Sequence, residues 1–485
     1  MPDRRLLLAA LGGLLLGGCA GLPNLDFALF RPDAQVALAT LPAPAGAVDA
    51  WPAEDWWKAY GDSQLDRLID QALAGHPNLA AARARIAQAQ AAAGVARGNA
   101  SPQVNADLSV SRGRQSENYL IPPPPLGPAG QYINQGQATV GLGYDLDFWG
   151  RNAALIAAAQ DQADAAAFDY AGARLALTVG IARAYAQLAS QYEQLDIAQA
   201  TLKQREGIAD LTRKRVAAGL DTHLEIRQAE TGTASLAAEM VQLEAAIAVS
   251  RLQLAALTGA MPDVAASISR PHLSTPPFNL PASLPIDLLG RRPEIAAQGA
   301  RIAAAREGIT AARAEFFPNI NLAALIGFQA IGLNHLFDAG SLTNSVGPAI
   351  HLPIFNGGRL RSNYALRTAE AEGAVAQYNQ SVLAAAQDVV EQLTRSAALD
   401  REAVSSQAAL ASAEEAYRIA LLRYREGLSS YLSVLSVEGQ LLAQRRALAD
   451  LKARRLDAHI GLVRALGGGF AAPQSVSEKP TQQKS

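Results

Sequence analysis

The stretch Gln137-Ala138-Thr139-Val140-Gly141-Leu142-Gly143-Tyr144-Asp145-Leu146-Asp147-Phe148 alternates apolar with polar or small residues from end to end. A period of two sends successive side chains to opposite faces of a strand. Residues 137–148 are therefore expected to form a strand with Ala138, Val140, Leu142, Tyr144, Leu146 and Phe148 on one face. The segment 103–112 has the same form, with Val104, Ala106, Leu108 and Val110 set between Gln103, Asn105, Asp107, Ser109 and Ser111. Two further segments are looser. Ile320, Leu322, Ile326 and Phe328 share a face in 319–329, and Val346, Ile350, Leu352 and Ile354 share one in 345–355. Leu325 falls on the wrong face, and Pro348 cannot donate to a ladder. Any one of these segments suits a half-buried sheet in a soluble α+β protein. Four together, each about the nine to eleven residues of a tilted membrane strand, predict a water-filled barrel in lipid. Four strands cannot close such a barrel, since about eight are needed and an open edge in lipid leaves backbone groups unsatisfied. Several copies of the chain are expected to share one barrel.

Outward from these segments the chain repeats. Pro77, Arg85, Ile86, Arg97, Pro102 and Asn105 recur 216 positions later as Pro293, Arg301, Ile302, Arg313, Pro318 and Asn321. Gly150, Arg151, Tyr170, Gly219, Leu220, Leu224, Glu230 and Gly259 recur 208 positions later as Gly358, Arg359, Tyr378, Gly427, Leu428, Leu432, Glu438 and Gly467. The change of offset falls in the loop carrying Ile121-Pro122-Pro123-Pro124-Pro125, a stiff extended insertion present in the first copy alone. Each copy reads as helix, strand, loop, strand, then a very long helical hairpin. The alanine-rich helices at 76–100 and 292–315 stop before Pro102 and Pro318. The stretches after Gly150 and Gly358, to about 217 and 425, carry hardly a breaker and are followed by helices at about 222–257 and 430–466. Roughly 65 residues at 1.5 Å each make about 100 Å, a length that suits a helical cylinder rather than a compact domain. In the last helix Leu432, Leu435, Leu442, Leu448, Leu451, Leu456, Ile460 and Val463 form an apolar stripe. The hairpins reverse at Gly219 and Gly427, with Asp221 and Ser429 expected to cap the returning helices.

Arg4 and Arg5 precede the apolar run Leu6 to Leu16, too short to span a bilayer and suited to an export signal. It ends Leu16-Gly17-Gly18-Cys19, which resembles the bacterial lipobox, and Cys19 is the only cysteine. Residues 1–18 are thus expected to be removed and Cys19 to carry diacylglycerol and palmitate. Ala20 and Gly21 lack the aspartate by which such lipoproteins are held at the inner membrane, implying the outer membrane. A formal net charge of −2 gives no footprint for nucleic acid. The histidines His76, His223, His272, His335, His351 and His459 lack metal-ligand spacing, and no phosphate loop or nucleophile elbow is present, so neither metal, cofactor nor enzymatic activity is expected. Asp145 and Asp147 read as pore-facing strand residues. The remaining alternatives are a surface-anchored helical lipoprotein and an envelope-anchored hydrolase.

From Cys19 to about Gly468 the sequence resembles the TolC-like outer-membrane efflux family, in its NodT-type lipoprotein branch. The resemblance is carried by Asp145-Leu146-Asp147-Phe148-Trp149-Gly150-Arg151, Arg291-Arg292-Pro293-Glu294-Ile295, Phe317-Pro318, Pro353-Ile354-Phe355-Asn356-Gly357-Gly358-Arg359 and the paired Gly-Leu tips. It implies a mixed α and transmembrane β fold, in which a trimeric 12-stranded barrel with four strands per chain continues into a long helical barrel. The implied divisions are a signal peptide (1–18), a lipidated segment and equatorial belt (19–64), a first repeat (65–259), a linker (260–290), a second repeat (291–467) and a tail (468–485). The belt would use roughly 51–64, 260–290 and 468 onward, and 113–136 and 330–344 would be extracellular loops. The implied function is the passive outer-membrane channel of a tripartite efflux system for drugs or other small toxic compounds. Its partners would be a periplasmic membrane-fusion adaptor, an inner-membrane pump of resistance-nodulation-division or major-facilitator type, and outer-membrane lipid. Adaptor docking is implied for Val216, Gly219, Leu220, Tyr424, Gly427 and Leu428. Arg423 and Arg425, with the run Arg213-Lys214-Arg215, are candidates for a polar constriction, and solvated helix ends explain them equally. Trp149, Phe148, Phe316, Phe317 and Phe355 suit an interfacial girdle or core packing alike.

Overall fold

Two helices of 67 residues set the dimensions of the molecule. In the computed structural model, which describes residues 51–114, 116–118, 125–127, 129–274, 276 and 290–471, a short 3-10 turn at Trp56–Tyr60 leads into the first helices. The elements are α1 (Ser63–Gly75), α2 (Pro77–Ala100), β1 (Gln103–Arg114), β2 (Tyr132–Asp145), α3 (Arg151–Ala217), α4 (His223–Leu257), α5 (Pro293–Ala314), β3 (Asn319–Ile331), β4 (Leu342–His351), α6 (Arg359–Arg425) and α7 (Tyr431–Ala465). The returning helices α4 and α7 have 35 residues each, so the repeat in sequence is a repeat in structure. The signal segment, Cys19, most of the proline insertion, much of the 260–290 linker and the tail beyond 471 lie outside the described residues.

The sheet is antiparallel in the order β1-β2-β3-β4. Its register lines up apolar with apolar: Val104 stands opposite Leu142, Leu142 opposite Ala324, and Ala324 opposite Val346. Leu108, Ala138, Phe328 and Leu342 form a second such row. The other face carries rows such as Asp107, Thr139, Gly327, Thr343 and Asn105, Gly141, Leu325, Ser345, with Leu325 the foreseen exception. Among the described residues nothing covers the apolar face at Leu108 (75% exposed) or Val346 (78%). Among the described residues β1 and β4 each pair with one strand and leave one edge open.

Two strand boundaries differ from the expectation. β2 begins at Tyr132 and stops at Asp145, before Leu146 and Phe148, because Asp147 takes a left-handed conformation with φ 42 and turns the chain toward α3. β4 runs 342–351 rather than 345–355, since the chain leaves the ladder before Pro353 and turns through Gly357 (φ 60) and Gly358 (φ 86).

The long helices pack as two hairpins, α3 with α4 and α6 with α7, joined where α3 meets α7 and where α5 lies between α3 and α6. α4 is long and apolar enough to cross a membrane, yet it is the return arm of the first hairpin, starting at the tip. The largest apolar cluster sits around mid-α3, where Trp56, Trp57, Tyr60, Leu65 and Ile69 pack on Ile181, Tyr185, Leu188, Leu254 and Ile460. Tyr60 bonds His459 Nδ1 at 2.8 Å, and burial pushes that imidazole down to about 4, so it is neutral at physiological pH. In α7 the expected stripe is buried at Leu451, Leu456, Ile460 and Val463, while Leu432 near the tip is exposed.

The closest strand approach is at Gly327, where a Cβ would lie 2.2 Å from the Ala138 carbonyl oxygen and 2.6 Å from Thr139 Cα. Backbone must move to admit it. Gly327→Ala is expected to cost about 1–3 kcal/mol through such overpacking and to lower the thermal unfolding midpoint in detergent. Gly141→Ala, with its nearest contact at 3.9 Å, is expected to leave the midpoint in place. Equal midpoints would remove close approach as the reason for the glycine.

Candidate functional site

Two places in the chain are built most specifically. The first is the passage from strands to helices. Asp147 carries out a different task from the one expected of it. Its carboxylate accepts the amides of Asn152 and Ala153, both at 2.9 Å, and so caps α3, whose own N-cap is Gly150 with no side chain to offer. Asp145 accepts the Asp147 amide at 3.2 Å. Trp149 stacks on Phe317 with centroids 4.6 Å apart and donates from its indole to the Pro318 carbonyl at 2.7 Å. Phe316 meets Tyr364 edge-on. Arg151 and Arg359, counterparts in the two repeats, both approach Glu315, at 3.7 and 4.0 Å. Asp145, Asp147, Trp149, Phe317, Arg151, Glu315 and Arg359 line an open cavity of about 270 Å³ together with Asn319, His351 and Pro353. Phe148 and Phe355 stay exposed, at 66% and 91%, so the five aromatics split between packing and surface.

The second place is the tip. Both reversals have one geometry: Gly219 (φ 75) and Gly427 (φ 76) end their helices, and the amides of Leu220 and Leu428 reach back to the carbonyls of Arg215 and Arg423. The expected caps are corrected here. Thr222 caps α4 in a reciprocal box with Glu225, whose carboxylate accepts the Thr222 amide at 2.8 Å, and Ser430 occupies the N-cap of α7. Asp221 is thereby free for another role. It accepts Arg215 Nε at 2.8 Å and the Tyr424 hydroxyl at 2.7 Å. Thr212 Oγ1 stands 2.9 Å from the same hydroxyl, Arg215 donates to the Tyr424 carbonyl at 2.9 Å, and its guanidinium lies 4.7 Å from the Tyr424 ring centroid. Tyr424 is fully buried. Burial pushes its phenol up to about 12, so it remains a donor; burial also works against the Asp221 charge, but Arg215 and Tyr424 outweigh it and hold that carboxyl below its ordinary value.

Of the residues named for docking, Leu220 (65% exposed), Leu428 (69%), Gly219 and Gly427 lie at the surface and Val216 is half-buried. Tyr424 is a correction, because its side chain ties the two hairpins together and presents no surface to a partner. Arg423 and Arg425 are exposed. One step further from the tip, Arg205 of α3 donates to Glu438 of α7 at 3.1 Å and to the Gly232 carbonyl of α4 at 2.7 Å. Burial raises the Glu438 carboxyl above its ordinary value, with Arg205 opposing. The Thr-x-x-Glu pattern of Thr222 and Glu225 is the signal that would have released Asp221 from the capping role; nothing local to sequence marks Thr212, Arg205 or Glu438.

A scan against family models matches residues 68–260 and 284–468 to "Outer membrane efflux protein". The chain is 40% identical over 353 residues to the fusaric acid resistance protein FusA of Burkholderia cepacia, an alignment spanning 72% of this chain and 66% of that one. It is 33% identical over 459 residues to the pyoverdine export outer membrane protein OpmQ of Pseudomonas aeruginosa, covering 94% and 95% of the two. The crystal structure of the outer membrane protein VceC from Vibrio cholerae superposes with a TM-score of 0.81 at 38% identity, over 87% of this chain and 100% of that one. The chain belongs to the outer membrane efflux protein family, and its fold is that of the trimeric TolC-like channels.

The tip network sets a graded expectation. Asp221→Ala leaves Arg215 and Tyr424 without their acceptor, at a cost of roughly 2 kcal/mol, or about 30-fold in local opening. Amide exchange at 212–222 and 424–430 is expected to accelerate by that factor. Asp210→Ala, which removes an exposed ion pair with Arg213, is expected to change it less than threefold. Equal acceleration in both variants would refute the network.

Proposed function

We propose that three copies of this outer membrane efflux protein enclose one continuous duct, through which small toxic or secreted organic compounds leave the cell without energy input from the duct itself. Its relatives are channels, not enzymes, and we read this chain likewise as a conduit. The single observation that carries the reading is the sheet. Four strands hold an apolar face and a polar face in register while both outer edges stay open. Lipid tolerates that arrangement when neighbouring copies pair the edges.

Outer membrane efflux channels of this kind work with a periplasmic adaptor and an inner-membrane pump. In our reading the pump is of resistance-nodulation-division or major-facilitator type. The adaptor docks on the tips through Val216, Gly219, Leu220, Gly427 and Leu428, whose surface position supports the assignment. Arg423 and Arg425 are proposed to line the mouth, where their exposed guanidinium groups meet the cargo path. The names of the relatives, fusaric acid resistance and pyoverdine export, support small organic cargo.

We further assign Cys19 as the site of diacylglycerol and palmitate attachment, tethering the mature chain to the outer membrane. Reach supports this. Trp51, the first described residue, packs near Val389, 30 residues along α6 from Arg359, or roughly 45 Å from the barrel. The 32 positions from Cys19 to Trp51 span up to about 110 Å when extended.

Purified in detergent, the protein is expected to show the native mass of three chains and discrete single-channel conductance in planar bilayers; a monomer without conductance would sink the duct. Separately, Cys19→Ser is expected to abolish incorporation of labelled palmitate while the barrel keeps the protein in the outer membrane. Label retained by the variant would dismiss Cys19 as the attachment site.

A further inference from the structure

At the passage from strands to helices the chain builds a cavity whose lining joins an aromatic wall to two guanidinium groups. Its volume of about 270 Å³ lies just under the roughly 300–1,000 Å³ usual for small-molecule sites, so it suits a compact ligand. Asp145, Asn319 and His351, from β2, β3 and β4, form part of the lining. Each lies an even number of positions from a polar-row residue of its own strand, Thr139, Gly327 and Thr343, and so shares that face. The cavity thus adjoins the side of the sheet that meets water. All of its lining comes from one chain, so each copy carries a complete site.

The aromatic wall is fixed in place. Trp149 has Phe317 stacked on it at 4.6 Å and gives its indole N–H to the Pro318 carbonyl at 2.7 Å, yet it stays 47% exposed. The ionic groups are held less tightly. Arg151 and Arg359, which open α3 and α6, share Glu315 at 3.7 and 4.0 Å, whereas Arg215 meets Asp221 at 2.8 Å. A guanidinium has five N–H donors and one carboxylate matches the fork of a single arginine, so Glu315 saturates neither. The other carboxylates of the lining are engaged with backbone: Asp147 accepts the Asn152 and Ala153 amides, and Asp145 accepts the Asp147 amide. Two cations thus face one available anion beside an exposed π surface.

Resting on the reading of the chain as a duct, we propose that this cavity is a cargo-binding site for small aromatic carboxylates. The ring of the ligand lies on the open side of Trp149 and extends its stack with Phe317. The carboxylate takes the place of Glu315 between Arg151 and Arg359. Since these arginines are counterparts in the repeat, the two halves of the chain supply one cation each to a single anion. Glu315 competes for the same donors, so the ligand is exchanged rather than retained. A conduit requires that balance, with binding favourable enough to enter and weak enough to leave.

The test is equilibrium dialysis of the full-length protein in detergent against naphthoate, with cyclohexanecarboxylate and naphthylmethylammonium as comparison ligands. Naphthoate is expected to saturate at one molecule per chain and to bind about fivefold more tightly than cyclohexanecarboxylate, which lacks the π face. Arg151→Gln and Arg359→Gln are each expected to weaken it roughly tenfold, with the native mass of three chains retained. Arg361→Gln, on α6 but outside the lining, leaves the affinity unchanged. Glu315→Gln removes the competitor and tightens binding, a gain that a merely structural role would not give. Preference for the ammonium ligand, equal affinity in Arg359→Gln and Arg361→Gln, or weaker binding in Glu315→Gln would overturn the site. Absence of saturable binding in a three-chain protein that conducts overturns the site and leaves the duct standing. Binding retained by a single-chain protein without conductance takes the cavity off any cargo path and overturns the proposed function with it.

Discussion

A strand in hydrocarbon must find a partner for every backbone amide and carbonyl, and this constraint organises the whole molecule. β1 and β4 each satisfy one side of their ladder within the chain and present the other side unpaired. In water such edges would be exposed to uncontrolled association. In a membrane they compel association of one kind, the closing of a ring. The apolar rows led by Val104 and Leu108 set the sheet in lipid, and the polar rows led by Asn105 and Asp107 then face the enclosed water.

The repeat is faithful in backbone and selective in side chains, and the differences fall where the chain has work to do. Asp147 caps α3 at the first passage, whereas its counterpart is Phe355, and α6 starts instead with the Asn356 side chain accepting the Leu360 amide at 3.4 Å. At the tips Arg215 and Asp221 correspond to Arg423 and Ser429, and Val216 to Tyr424. Tyr424 therefore crosses to a carboxylate and a hydroxyl that the first copy supplies and the second does not. Arg423, lacking a matching aspartate, stays exposed. A symmetric backbone thus carries an asymmetric lock between its two hairpins.

Much of the architecture was legible because it rests on period and length. Alternation over 103–112 and 319–329 located strands that the structure extends by only two residues, and the absence of breakers located α3 and α6 with their approximate ends. Boundaries failed where a turn interrupts a continuing pattern. Leu146 and Phe148 keep the alternation of β2, yet the left-handed Asp147 between them ends the strand, and periodicity carries no information about φ. The tip failed for a different reason. Asp221 precedes a helix and has the composition of a cap, but Thr222 holds the better geometry with Glu225, and the partner that decides the role of Asp221 lies 203 positions away. Tyr424 entered as a contact residue through the family resemblance alone; its burial depends on α3 and the turn after it, which local sequence does not see.

Apolar packing between the hairpins runs from mid-α3 to the tip, and near the tip buried polar contacts are added to it. Around mid-α3 the packing is tryptophan, tyrosine, leucine and isoleucine, non-directional and strong in proportion to the area buried. Toward the tip a second apolar cluster, with Ile208, Tyr417, Tyr431, Val434 and Leu441, joins the hairpins, and to it are added Arg205 with Glu438 and Arg215 with Asp221 and Tyr424. Removing such charges from water offsets much of their mutual attraction, so a buried ion pair adds less to stability than apolar side chains of similar volume. Glu438 illustrates the cost, since one of its carboxylate oxygens is buried without a hydrogen-bond partner. What these pairs supply is direction: they hold the hairpins in one arrangement and, once separated, regain hydration that an apolar seam would not. Near the tip the two hairpins are therefore held by apolar area and fixed in register by these few polar contacts, Tyr424 belonging to both sets.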